Sequence, residues 1–135
     1  MTARKAAPLV LLLLAMGCAH WSTADTMRQA AIVGLQVMDW HQSRTIATEM
    51  VPESYTERPD GSSEHVYARP RWRESSPFLP SHPSAGQVDA YFAASILTGI
   101  LISAVLPAEW RPYWQYGYIG FEGAFVVHNY QQGIR

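Results

Sequence analysis

The 135 residues carry 10 basic and 11 acidic side chains, a net charge of -1 and a pI near 6.5, so no electrostatic field draws the chain toward nucleic acid, and DNA or RNA is not an expected partner. The length allows one domain at most, and the lone cysteine excludes an intrachain disulfide framework. No internal repeat of solenoid length is present.

Residues 1–17 read as a secretory signal: Arg4 and Lys5 form a positive n-region, Pro8 to Leu14 an apolar core too short to span, and Ala15-Met16-Gly17 a small-residue cleavage site. Cys18 falls where a bacterial lipoprotein signal places its acylated residue, and the stretch resembles a lipobox, with Ala15 where that family prefers Leu. Attachment of a fatty acid such as palmitate would explain a thiol with no partner. The competing reading is an ordinary export signal followed by a spectator thiol. A mature chain of residues 18–135 is enough for a single helical domain with one modest core.

The pattern predicts a first helix over about 23–45. Ser22 with Asp25 three residues on is a capping box, and an acidic group in the first turn suits the positive helix end. Asp25, Gln29, Gln36, Asp39 and Ser43 form one stripe at 100° spacing, with Met27, Ala30, Ala31, Gly34, Val37 and Met38 opposite. Either the stripe is solvated, or it turns toward partner helices, where Asp39 needs a hydrogen-bond donor. Residues 46–86 hold most of the nine prolines and show no sustained periodicity, which predicts a long Pro-rich loop with a turn at Asp60-Gly61.

A second helix is expected over 87–106, started by a capping box of Ser84 and Gln87. Its stretch from Val88 to Leu106 has Asp89 as the only charge and comes close to the roughly 20 apolar residues that cross about 30 Å of hydrocarbon. The same stretch also suits a buried helix of a compact bundle. A third helix over 112–130 starts at Pro112, a suitable first-turn proline. Ser95, Gly99 and Ser103 on the second helix, with Gly117, Gly120, Gly123 and Ala124 on the third, predict two small-residue faces that let the helices pack closely as a hairpin. Tyr91 and Phe92 lie near one end of the second helix and Trp110, Tyr113, Trp114 and Tyr116 near the other, resembling an interfacial belt. If all three helices cross, Arg58, Arg69, Arg71 and Arg73 fall inside and Arg111 alone outside, in keeping with the positive-inside tendency. The first helix, with its wide polar face, could instead lie along the membrane surface.

The expected fold class is all-α, a small bundle of about three helices built on a C-terminal helical hairpin. Asp39-Trp40-His41-Gln42-Ser43-Arg44-Thr45-Ile46-Ala47, the segment Glu74 to Ser84, and Glu122 to Asn129 resemble a group of small bacterial and phage-encoded lipoproteins with no assigned activity. Their pattern is D-W-x-Q-S/T-R-x-I-A followed by E-x-N-P-I-L-G-x-H-P-S. Ser76 stands here at the Asn position and Pro80 at the Gly position. The resemblance implies an envelope lipoprotein and supplies no mechanism.

Asp39, Gln42, Arg44, Glu74, His82, Glu122 and His128 form a candidate polar network. The spacing contains no H-E-x-x-H or E-x-x-H, no G-x-S-x-G elbow and no phosphate loop, so no catalytic residue, metal or cofactor is assigned. The expected role is structural or interactive, at a bacterial membrane reached through acylated Cys18 and apolar helices, the inner membrane if the second and third helices span. No protein partner can be named from the sequence. The alternative is a small membrane enzyme or metal-binding protein that uses the acidic and imidazole groups between the helices.

Overall fold

A computed structural model describes residues 21–135, the side chains of 52–56 and 64–67 excepted, so the expected signal and Cys18 lie outside the described residues. Three helices and one hairpin follow in the order α1 (Thr23–Thr48), β1 (Met50–Glu57), β2 (Ser63–Pro70), α2 (Ala85–Val105) and α3 (Arg111–Gln131). The expected small helical bundle is present.

Both expected capping boxes form. The Ser22 hydroxyl accepts the Asp25 backbone N–H at 3.1 Å while the Asp25 carboxylate accepts that of Ser22 at 2.9 Å; Ser84 and Gln87 do the same at 3.2 and 2.8 Å. Each closes two helix-end donors that would otherwise lack partners. The end of α3 is stopped by Gly133 at φ +86°, where the Ile134 N–H reaches the Asn129 carbonyl and the Gly133 N–H that of Tyr130. Glycine enters this left-handed region without a Cβ penalty, and the turn tucks Ile134 into the core at 1 % exposure.

The segment expected as a loop is in part a hairpin. β1 and β2 pair antiparallel from Met50↔Pro70 to Glu57↔Ser63, with an irregularity between Pro52 and Tyr55. In a two-stranded sheet both strands are edges, so Pro52 and Pro70 need not break it. The turn lies at Asp60-Gly61 as expected: Gly61 adopts φ +79°, and Asp60 Oδ1 accepts the Ser62 N–H at 2.9 Å. Prolines and the lack of clean alternation hid the strands. Glu49 and Trp72 dock the hairpin base, the Trp72 indole N–H donating to Glu49 Oε2 at 2.8 Å beside the Arg71–Glu49 ion pair.

The packing differs from the expected hairpin. It is α1 that packs along both other helices, whereas α2 and α3 meet sparsely. A Cβ added at Gly117 or Gly120 would meet nothing within 4 Å, Ala124 is exposed, and Gly123 faces Leu35 of α1. Ser95, Gly99 and Ser103 do face α3, but across aromatic rings: a Cβ at Gly99 would stand 3.1 Å from the Tyr118 ring, and the Trp114 indole donates to Ser103 Oγ at 3.1 Å. Rings as broad as Trp114 and Tyr118 keep the two backbones apart, so small side chains here make room for side chains and not for a neighbouring backbone.

Candidate functional site

The inward face of α1 carries Asp25, Gln29, Ile32, Gln36, Asp39, Gln42, Ser43 and Ile46, all buried. Of the two readings of its polar stripe, the one turned toward partner helices holds. Among the described residues twelve polar or charged side chains are buried against seven apolar ones, the reverse of an ordinary globular interior. Buried polar groups at this density need partners. Most find them in three layers along α1, and four buried atoms, Gln29 Nε2, Gln36 Oε1, Gln42 Oε1 and Glu74 Oε2, do not.

The first layer lies where α1 begins. Arg111, 1 % exposed, donates Nε to the Ser103 carbonyl at 2.8 Å, Nη2 to that of Leu106 at 2.9 Å and Nη1 to Asp25 Oδ2 at 3.2 Å. It thereby caps the last carbonyls of α2 and supplies a countercharge to Asp25. Arg28 pairs with Asp25 as well and donates Nε to Gln115 Oε1 at 2.8 Å, while Gln115 Nε2 donates to the Asp25 carbonyl at 3.1 Å.

At the middle layer Gln36, fully buried, donates Nε2 to Ser95 Oγ at 3.0 Å and Tyr118 Oη at 2.9 Å, and those two oxygens lie 2.9 Å apart. The Tyr118 hydroxyl also neighbours Glu122, which is 3 % exposed. The third layer pairs Asp39 Oδ1 with the Asn129 amide at 3.0 Å, and Gln42 Nε2 donates to the carbonyls of Val126 and Ile134, both at 3.3 Å. Glu74 Oε1 accepts the Ser75 and Ser76 N–H groups at 3.0 and 2.9 Å. Glu122 and Glu74 are the acidic neighbours of Asp39.

Of the seven candidate network residues the structure buries Asp39, Gln42, Glu74 and Glu122. Three do not join them. Arg44 reaches outward to Asp89 at 3.1 Å, His82 is exposed, and His128 is exposed on α3 with Gln132 as its partner. The 120° angle between Glu122 and His128 on one helix already separates them. Residues outside that candidate set complete the layers: Gln29, Gln36, Arg111, Gln115, Tyr118 and Asn129. A signal for Gln29 and Gln36 existed in the α1 stripe; for Arg111 and Gln115 there was none, because each reads as an ordinary surface residue near a turn. Among the described residues no group of three His, Cys, Asp or Glu could hold a metal ion.

Between the splayed α2 and α3 opens a groove of about 320 Å³, with Glu122, Ser95 and Tyr118 at its polar floor and Tyr91, Trp114 and Phe121 as walls. Phe78, from the segment before α2, leans over it against Tyr91 and Phe121, with ring centroids 6.1 and 6.3 Å away. The Trp114 and Tyr118 rings stack at 5.2 Å along one wall.

The outer surface is the converse of this interior. On α2 Leu97, Ile100, Leu101 and Val105 are exposed; on α3 Tyr113, Tyr116, Phe121 and Val127; on α1 Met27, Val37 and Met38. α2 is long and apolar enough to cross a membrane, and only 22 % of its apolar window is buried within the fold. No known protein family matches the chain, and neither does any curated protein or solved structure.

Proposed function

We propose that this chain is an integral component of a bacterial envelope membrane, a three-helix bundle tethered in addition by a lipid on Cys18, with a structural or interaction role there. One observation carries the reading: polar side chains fill the bundle and apolar ones cover its helices. Water rewards the opposite arrangement, whereas hydrocarbon requires polar groups to be satisfied internally and accepts Leu, Ile, Val and Met at the surface.

The inward stripe also accounts for the low average hydropathy of α1 and α3, because their polar halves face each other. From Tyr113 to Tyr130 α3 rises by about 26 Å at 1.5 Å per residue, close to the hydrocarbon thickness, with exposed aromatics at both ends. The ends of α1 and α3 that meet at Asp25 and Arg111 lie opposite the hairpin and its arginines, so the positive-inside tendency puts the hairpin in the cytoplasm. The resemblance to small lipoproteins supports the tether and adds no activity.

Alkaline carbonate extraction of membranes from cells producing the wild type and Cys18→Ser tests this, with mass spectrometry of the mature N-terminus. Both proteins are expected in the pellet, the wild type carrying an acyl mass. Release of Cys18→Ser would reduce attachment to the lipid alone, and release of an unmodified wild type would sink the reading.

A further inference from the structure

We propose that the groove between α2 and α3 is a binding site for lipophilic organic cations, quaternary ammonium or phosphonium ions bearing apolar or aromatic substituents, with Glu122 as the counter-ion. The floor of the groove holds one carboxyl group and no cationic side chain lines it. Arg28 and Arg111 are committed to Asp25 one layer away, and Arg44 to Asp89 on the outer side. Glu122 is 3 % exposed and lines the cavity, with no cation on the protein side to neutralise it among the lining residues.

The walls fit the same class of ligand. Tyr91, Trp114, Tyr118 and Phe121 present π systems around the carboxyl group, and a cation within about 6 Å of such a ring face is attracted by its quadrupole, more strongly where water is excluded. A bulky ion without N–H groups loses less on leaving water than an ammonium that carries them, and it needs no hydrogen-bond acceptors. At about 320 Å³ the cavity is at the small end of the ligand-site range, roughly 300–1,000 Å³, enough for one such ion with an aromatic substituent. Ala94 and Thr98 are exposed on the α2 side of the opening, which gives lateral entry from the apolar surroundings of the bundle. Gln36 and Ser95 hold the Tyr118 hydroxyl beside Glu122, so the carboxyl group is positioned before a ligand arrives.

The test is equilibrium dialysis of labelled methyltriphenylphosphonium against the purified full chain in detergent micelles. Saturable binding near one ion per chain is expected, with at least a tenfold loss in Glu122→Gln and none in Glu74→Gln, a buried carboxyl group outside the groove. Ala94→Trp, which fills the groove and leaves the carboxyl group intact, should also abolish binding while circular dichroism and melting stay unchanged. This second variant keeps the idea exposed if Glu122→Gln folds poorly. Non-saturable uptake equal in wild type and Ala94→Trp, or equal competition by neutral triphenylphosphine oxide, would overturn it and leave a site for lipid tails. The proposal rests on the membrane reading only for the route of entry: binding by a protein that carbonate extracts would sustain the groove and sink the span, and a retained protein that does not bind would do the reverse.

Discussion

The two ends of the bundle handle buried charge in opposite ways. At the end where α1 begins, the Asp25 carboxylate meets both Arg28 and Arg111, and the buried atom without a hydrogen-bond partner there is the neutral Gln29 Nε2. Towards the other end, Asp39 is buried with an amide as partner and Glu122 beside a phenol, and Gln36 Oε1, Gln42 Oε1 and Glu74 Oε2 have no hydrogen-bond partner. A closed ion cluster fixes register and does little else. Carboxyl groups left with weak donors are costly, and that cost is easiest to understand where a group must be free to bind something.

Removing the cation from the closed end should have the largest effect. Arg111→Ala takes one of the two arginines from Asp25 and strands the buried carbonyls of Ser103 and Leu106, and a loss of about 3–5 kcal/mol is expected in detergent unfolding followed by circular dichroism. A loss under 1 kcal/mol would show that the cluster is no clamp.

The contrast holds only if the outside of the bundle is hydrocarbon. Leu97→Arg, on an exposed and uncharged stretch of α2, should cost about 2.5–3.5 kcal/mol of membrane insertion, measured with a glycosylation or protease-protection reporter. In water the same change would be nearly neutral. At the open end Asn129→Leu takes away the donor to Asp39, and about 1–3 kcal/mol of stability should be lost. Asp39→Asn in the same background should restore part of it, since the buried carboxyl group left without its donor is then gone.

The smallest effect belongs to the hairpin. The Trp72 indole hydrogen bond holds the Glu49 carboxyl group below its ordinary range, opposed by desolvation and aided by the Arg71 hydrogen bond and charge. A depressed carboxylate value means that docking by Glu49 is fully present above about pH 4.5 and weakens as the pH falls through the lowered value. Glu49→Gln should therefore speed amide exchange at Arg71 and Trp72 near neutral pH, with the two proteins converging in acid. Exchange in α2 and α3 should not change.

The helices were legible because their boundaries are written locally: Ser22 with Asp25, Ser84 with Gln87, and Pro112 after a connecting turn. The Asp60-Gly61 turn was legible for the same reason. The stripe on α1 was visible, but its direction was not, since a polar face toward water and a polar face toward partner helices have the same periodicity. Exposure of Met27, Val37 and Met38 decides between them, and exposure is a property of the assembled bundle. Gly117 and Gly120 misled because small residues promise close approach without naming a neighbour, and Trp114 and Tyr118 took the space first. Gln115 escaped notice because its partner on α1 lies 90 residues away, and Arg111 because Asp25 lies 86 residues away and its nearer partners are backbone carbonyls that no side-chain pattern marks.

The dependence of α1 on α3 also has a temporal side. The chain makes α1 first, yet Gln115, Glu122 and Asn129, which shelter its polar stripe, belong to a helix that begins 63 residues after Thr48. At about 5–20 residues per second the ribosome needs roughly 3–12 s to cover that distance. On the membrane reading, α1 spends that interval with glutamines facing lipid or waits beside the bilayer, so its stable entry is the last event of biogenesis although it is synthesised before either companion.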